Sequence, residues 1–471
     1  MSRFYCAFLF ALGLAAFAVP SSRAAALTNP QPDPVYVVLG PDHHVVVRSL
    51  TQAASCPAIE WNGGPAQGMA LRALPARVPA RTGSAQTQSK EAVFDLRVCE
   101  AQWPLGVSSA RVAGQEVPAP RKDIRRIVII ADTGCRMKGS EKAFQPCNDA
   151  LQWPFARIAQ SAAATRPDLV IHIGDIHYRE SPCPEGNKGC AGSPWGYGDD
   201  AWRADLFAPA RPLLAAAPWV FVRGNHESCS RAGQGWFRFI DALPWSETRS
   251  CNDPALDAPA DYSEPYAVPL GDDAQFIVFD SSRTNGAPFS TEDAAFGKYT
   301  QQLLSVARMA MAGQSSFFLS HHPLLAVAPS KKSDTFKPAG NEGLQSVFGA
   351  LYPERLFPEG VALTLHGHVH LFESISFKGA HPASLVLGNS GSANEGRVPQ
   401  TLPAGTQLYP GIEVEDYAAR SEFGFATLER VASGANDAWL LTEHAVDGTP
   451  LLQCAISGGK SRCHPPLPAG R

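Results

Sequence analysis

The sequence predicts an α/β fold: a layered β-sandwich core flanked by helices, with a small β-rich domain on its N-terminal side. Two observations predict it. From residue 127 onward, β-branched apolar runs alternate with longer helix-like segments, as strands and their covering helices do. Before residue 121 the apolar runs are short and broken by Pro, Gly and Ser clusters, which reads as strands and turns without intervening helices.

Taken in order, residues 1–24 read as a cleaved signal peptide: Arg3, an apolar run over 4–19, then the small-x-small pattern Ser22-Arg23-Ala24. A membrane-spanning helix needs about 20 apolar residues, more than this run offers. No stable membrane anchor is therefore expected, and the mature chain is expected to be secreted or periplasmic. Residues 25–121 form the β-rich domain, with strand candidates at 35–39, 44–50 and 93–98 and a Pro-rich linker at 117–121. Nothing in them carries chemistry, and shaping substrate access, mediating dimerisation and capping the core are all open roles. Residues 122–471 form the domain that holds the chemistry. Its strand candidates are 127–131, 169–173, 220–222, 276–279, 317–319, 361–365 and 385–387, and its helix candidates are 150–165, 200–216, 292–311 and 341–351. The tail over 423–463 returns to strand character and is expected as an edge added to the same sheets.

Composition supports a folded, exported protein. The 471 residues are 45% hydrophobic and 18% charged, enough to bury a sizeable core. Loss of residues 1–24 removes Arg3 and Arg23 and takes the formal net charge from −4 to about −6, so no nucleic-acid partner is expected. Eleven cysteines become ten once Cys6 is removed, and an even number in an exported chain points to disulfides. Sequential pairing is the simplest arrangement, because Cys135/Cys147, Cys183/Cys190, Cys229/Cys251 and Cys454/Cys463 would each close a short loop and leave Cys56 for Cys99. The rival reading, a cysteine-ligated zinc, lacks paired C-x-x-C spacing.

Five of the predicted strands run directly into residues able to bind metal or phosphate. Residues 127–131 lead into Asp132-Thr133-Gly134, and 169–173 into Gly174-Asp175-Ile176-His177-Tyr178. Residues 220–222 lead into Gly224-Asn225-His226-Glu227, 317–319 into Ser320-His321-His322-Pro323, and 361–365 into His366-Gly367-His368-Val369-His370. Alone, each has a plain structural reading: Asp after a strand is a turn or cap residue, Asn-His is local backbone bonding, and Tyr178 is packing. Together, at the carboxyl ends of strands in an open α/β sheet, they converge on one edge. Carboxylate, imidazole, amide and phenolate donors suit Fe, Mn and Zn, and a carboxylate such as Asp175 can bridge two cations about 4 Å apart for phosphoryl displacement.

These blocks, over residues 124–392, resemble the calcineurin-like metallophosphoesterase superfamily and, within it, the purple acid phosphatases. Gly174-Asp175-x-x-Tyr178 is the discriminating piece, since the tyrosine is what that branch adds. The resemblance implies a first metal held by Asp132, Asp175, Tyr178 and His370, and a second held by Asp175, Asn225, His321 and His368. It implies ferric iron at the tyrosine site and Fe, Zn or Mn at the other. His226 is left as a catalytic non-ligand that stabilises phosphorane charge or protonates the leaving group. The implied reaction is acid phosphatase-like hydrolysis of a small phosphate monoester by a metal-generated hydroxide, without a covalent intermediate.

The chain departs from that pattern where family members often carry a second histidine, nine or ten positions beyond the one matching His321; here Ser330 and Lys331 stand there. Proton donation then rests on His226, His177 or His322, with Lys331 and Lys332 expected to be solvated. Pro323 restricts the backbone of His322 to extended forms, which favours a supporting role for it. Disulfides at Cys135, Cys183 and Cys229 would close loops rimming the site. Phosphodiesterase or nucleotidase chemistry fits the same metal core, and a non-catalytic metal-binding protein is a third reading. Retention of His226 speaks against the third. The turn-forming stretch 390–395 stands close enough in sequence to the metal blocks to reach the pocket rim, although turn composition explains it equally well.

Overall fold

Side-chain alternation in a few adjacent strands decides the architecture. In the Arg126–Ile130 strand, Ile127 and Ile129 join Leu169, Ile171, Val220 and Val222 in an interior shared with Phe276, Phe317, Leu363 and Leu365 of a second sheet. Val128 and Ile130 point the other way, against Phe155, Ile158, Ala159 and Ala162 of the Phe155–Ala164 helix. Those helix positions follow the i, i+3, i+4, i+7 spacing of one buried stripe. On the far side of the second sheet, Ile277 and Phe318 meet Leu303 and Val306 of the Ala294–Ala310 helix and Leu344 and Phe348 of Glu342–Leu351. Helices therefore cover both outer faces of a two-sheet sandwich. Each fully buried aliphatic or aromatic side chain in these layers contributes roughly 1.5–3 kcal/mol.

This computed structural model describes, besides Met1, residues 33–81, 88–310, 315–329, 336–394, 396–431 and 438–466. The expected signal peptide, together with Ser330, Lys331, Lys332 and Glu395, lies outside them. Among the described residues, an eleven-stranded sheet runs from Lys460–His464 through Pro450–Ser457, Trp439–Ala445, Gly424–Arg430, Arg126–Ile130, Leu169–Ile173, Trp219–Val222, Val35–Leu39, Val45–Thr51 and Arg97–Gln102 to Ala70–Ala73. An eight-stranded sheet runs from Tyr266–Pro269 through Ala274–Val278, Ser315–Leu319, Val361–His366, Ala383–Leu387, Phe372–Phe377 and Ile412–Arg420 to Gln407–Tyr409. The four strands of the tail form one edge of the larger sheet, as expected for 423–463. The β-rich character of the N-terminal segment is also present. Four of its strands are hydrogen-bonded into the larger sheet, entering it through the parallel pairing of Val38 with Trp219.

Two expected elements are broken, each for a local reason. The helix expected over 200–216 splits into α-turns at Asp199–Trp202 and Arg211–Leu214 around a π-turn at Arg203–Phe207, because Pro209 and Pro212 each remove an amide donor. The strand expected over 93–98 splits into Ala92–Phe94 and Arg97–Gln102, because the amides of Asp95 and Leu96 donate to Oδ2 of Asp199 (2.8 and 3.0 Å) instead of to a ladder. The helix expected over 150–165 starts only at Phe155, after Pro154. Asn341, by contrast, caps Glu342–Leu351 by accepting from the amide of Leu344 at 2.9 Å.

All five disulfides follow the sequential arrangement: Cys56–Cys99, Cys135–Cys147, Cys183–Cys190, Cys229–Cys251 and Cys454–Cys463. Among the described residues no helix is long and apolar enough to cross a membrane.

Candidate metal centre

Parallel pairing brings the chemistry-bearing loops together. Arg126–Ile130, Leu169–Ile173 and Trp219–Val222 run in the same direction, as do Ala274–Val278, Ser315–Leu319 and Val361–His366, so their carboxyl ends share one edge of the sandwich. All eight residues singled out in the sequence lie just beyond those ends. The backbone there is held in unusual conformations: Asp132, Asp175 and His368 have φ of 53, 53 and 71°. Left-handed backbone costs a side-chain-bearing residue of order 1–3 kcal/mol and persists only where the surroundings impose it, commonly at functional sites.

Glycine makes room for the crowding that results. A Cβ on Gly367 would sit 2.7 Å from Oδ2 of Asp132, and one on Gly224 would overlap Oδ1 of Asp175. Two buried acids, neither assigned a role from the sequence, then fix the loops. Glu227 accepts from the amides of Asp175, Ile176 and His177 at 2.9, 2.9 and 3.0 Å. Asp205, in the π-turn, accepts from the amides of Tyr178 and Cys135 at 2.9 and 3.0 Å and from Nε of Arg179 at 2.6 Å. Glu227 was legible as the neighbour of His226; Asp205 carried no local signal, being embedded in what read as a plain helix.

Two donor sets result. In the first, the Tyr178 hydroxyl lies 3.1 Å from Oδ1 of Asp132, 2.9 Å from Oδ2 of Asp175 and 2.8 Å from Nε2 of His370. In the second, Nε2 of His321 lies 3.1 Å from Oδ1 of Asn225 and 3.1 Å from Oδ2 of Asp175. His368 stands beside His321, ring centroids 5.2 Å apart. Oδ2 of Asp175 therefore belongs to both sets. Outer contacts orient the imidazoles: Nδ1 of His321 faces the carbonyl of Ile173 at 2.9 Å and Nδ1 of His370 that of Ala393 at 2.8 Å, leaving each Nε2 for the cluster.

His226 packs over Tyr178, ring centroids 3.8 Å apart, with Nδ1 3.0 Å from the His177 carbonyl. Nη2 of Arg231 lies 2.7 Å from Nε2 of His226, while Nε of Arg231 binds the buried Glu180 at 2.5 Å. His177, an alternative proton donor in the sequence, instead packs its ring against Tyr197 and Trp202. His322 joins His321 and His368 in a group of three imidazoles and is steadied by Ser281, 3.1 Å from its Nδ1.

The electrostatics call for a cation. Asp132 and Asp175 are almost wholly buried, and among the described residues no lysine or arginine forms an ion pair with either. Burial pushes the Asp132 carboxyl up. Burial acts the same way on Asp175, but His321 and His226 overcome it and hold that carboxyl well below the usual range. Burial, reinforced by Asp175 and Asp132, raises the Tyr178 phenol well above its ordinary value. His321 moves to about 9, since the pull of Asp175 outweighs burial, whereas burial lowers His368 to about 3. Buried carboxylates of this kind persist where a counter-charge compensates them, and this mixed oxygen and nitrogen set fits hard to borderline cations.

A helix-flanked sandwich that gathers carboxylate, imidazole and phenol donors at the carboxyl ends of its strands is the architecture of a metallophosphoesterase. The calcineurin-like phosphoesterase family model matches residues 125–372, and the chain belongs to that family, hydrolases acting on phosphoric esters. Among solved structures, the purple acid phosphatase PPD1 from yellow lupin (Lupinus luteus) seeds is similar over 91% of this chain and 75% of its own, with 15% identity and a TM-score of 0.52. PhoD is similar over 91% of each chain, with 11% identity and a TM-score of 0.51. At these identities the likeness is one of fold. No curated protein matches the sequence.

Proposed function

We propose that the protein is an exported, acid phosphatase-like enzyme that hydrolyses phosphate monoesters at a binuclear metal centre. The observation that carries this reading is the position of Oδ2 of Asp175 between the Tyr178 hydroxyl and Nε2 of His321. Asp132, Asp175, Tyr178 and His370 would hold one cation, and Asp175, Asn225, His321 and His368 the other. When bound, such a pair neutralises phosphoryl oxygens and lowers the pKa of a coordinated water. A trivalent ion beside Tyr178 would favour the phenolate and reverse the proton-retaining balance set by burial, which supports ferric iron there and Fe, Zn or Mn at the second position.

The chain's own groups complete the chemistry. His226 lies beside the cluster, its Nε2 3.7 Å from Oδ2 of Asp175, and is the ring assigned to the leaving-group oxygen. Arg231, anchored by Glu180, adds fixed positive charge beside it where charge develops on the phosphoryl group. Export is supported by the five disulfides and by the leader-like residues 1–24.

The test combines metal analysis with turnover of an aryl phosphate by the mature protein. Two metal equivalents and turnover that disappears on chelation are expected. Full turnover in the metal-stripped protein would overturn the reading.

A further inference from the structure

The stretch that follows the Ala383–Leu387 strand is hydrogen-bonded to two of the candidate ligand segments and continues into the wall of a cavity. The amide of Ser392 donates to the carbonyl of Asp132 at 2.7 Å, and the carbonyl of Ala393 accepts from His370. Asn394, the next residue, lines a cavity of about 490 Å³ together with Arg397, Gln400, Arg420, Ser421 and Glu422. Arg420 ends the Ile412–Arg420 strand, opposite Phe372 and therefore two residues in register from His370. The side chain of Asn394 donates to the carbonyl of Ser421 and ties the two walls together. One wall of this cavity is thus continuous with the segment that positions a candidate ligand.

Its charge is the second observation. Among the described residues neither the Arg397 nor the Arg420 guanidinium has an ion-pair or hydrogen-bond partner, unlike Arg179, Arg223 and Arg231, which are all engaged by carboxylates. Among the described residues Glu422 is the one carboxylate in the lining, beside two guanidinium groups. A guanidinium fork matches a carboxylate or phosphate through paired N–H donors.

We propose that Arg397 and Arg420 form a subsite for a second anionic group of the substrate, a phosphate or carboxylate remote from the scissile ester. The selectivity rests on the phosphoesterase reading above: the metal centre takes the phosphoryl group to be cleaved, and the arginine pair takes the other charge. The enzyme then prefers esters carrying two anionic groups to simple monophosphates of the same skeleton.

The experiment compares alkanediol bisphosphates of two to six carbons with the matching alkyl monophosphates, in the metal-loaded mature protein and in R397Q/R420Q. The wild type should favour at least one bisphosphate. In the double variant the ratio of kcat/KM between that bisphosphate and its monophosphate should fall at least tenfold, mainly through KM, with partial recovery in R397K/R420K. No wild-type preference, or a ratio unchanged by the substitutions, overturns the subsite. Wild type that turns over neither class refutes the phosphoesterase reading instead. Calorimetric binding of the corresponding alkane bisphosphonates then decides the subsite alone: binding at least tenfold weaker in the double variant supports it, and equal binding overturns it.

Discussion

Oδ2 of Asp175 lies 3.1 Å from Nε2 of His321, a residue 146 positions later on the opposing sheet, and 2.9 Å from the Tyr178 hydroxyl. One oxygen thus joins donors from both halves of the sandwich. Replacement of Asp175 with Asn should reduce bound metal from two equivalents to one or none and turnover by at least about a hundredfold, since a neutral amide oxygen bridges cations poorly. Elemental analysis beside an aryl phosphate assay reads both. Two retained equivalents would show that the bridge lies elsewhere.

Tyr178 separates the ferric reading from a dizinc or dimanganese one. In iron-loaded protein, visible absorption from an iron–phenolate bond should be present and should vanish in Tyr178→Phe while iron is still bound. Identical spectra in the two proteins would remove the tyrosine from the metal.

His226 touches the cluster without belonging to either donor set. His226→Ala should keep its metal and lose roughly 10²–10⁴ in kcat, the usual contribution of a general acid or base. Unchanged turnover would leave this histidine a packing role over Tyr178.

Asp205 should behave as a structural keystone. Its carboxylate serves two backbone amides and the buried Arg179, and removing one partner of a buried pair costs about 3–5 kcal/mol. Asp205→Ala should therefore lower Tm by several degrees and weaken metal retention through the displaced Tyr178 amide. A variant with wild-type Tm would show that water replaces the carboxylate.

Glu373 gives a pH signature. Burial pushes its carboxyl up to about 8 from an ordinary value near 4.5. Between those values the folded protein keeps a proton that the unfolded chain has released, so stability falls as pH rises from about 5 to 8. Glu373→Gln retains an acceptor for the Val327 amide, 3.0 Å away in the native protein, and carries no charge to bury. The difference in unfolding free energy between variant and wild type should grow in the variant's favour across that range. Parallel pH profiles would place the dependence on other groups.

Features that depend on short spacing are legible in the chain alone. The alternation of apolar runs marked the strands that meet in the sandwich, Asn341 marked where one helix begins, and the nearest-neighbour cysteines are those that pair. The five strand endings contained all eight residues that the structure gathers at one edge, because a strand's carboxyl end is fixed by its own local pattern. Tertiary structure alone decided the rest. Asp205 reads as an ordinary helical residue until Pro209 and Pro212 break the helix and turn it onto the amides of Cys135 and Tyr178. Val38 is one more β-branched residue until it pairs with Trp219 and carries the N-terminal strands into the larger sheet. Arg397 and Arg420 are separated by 22 intervening residues and share a cavity only because Ile412–Arg420 lies beside the strand that follows His370. Those relationships are set by long-range strand pairing and by the desolvation of groups distant in the chain, and no local window of residues encodes either.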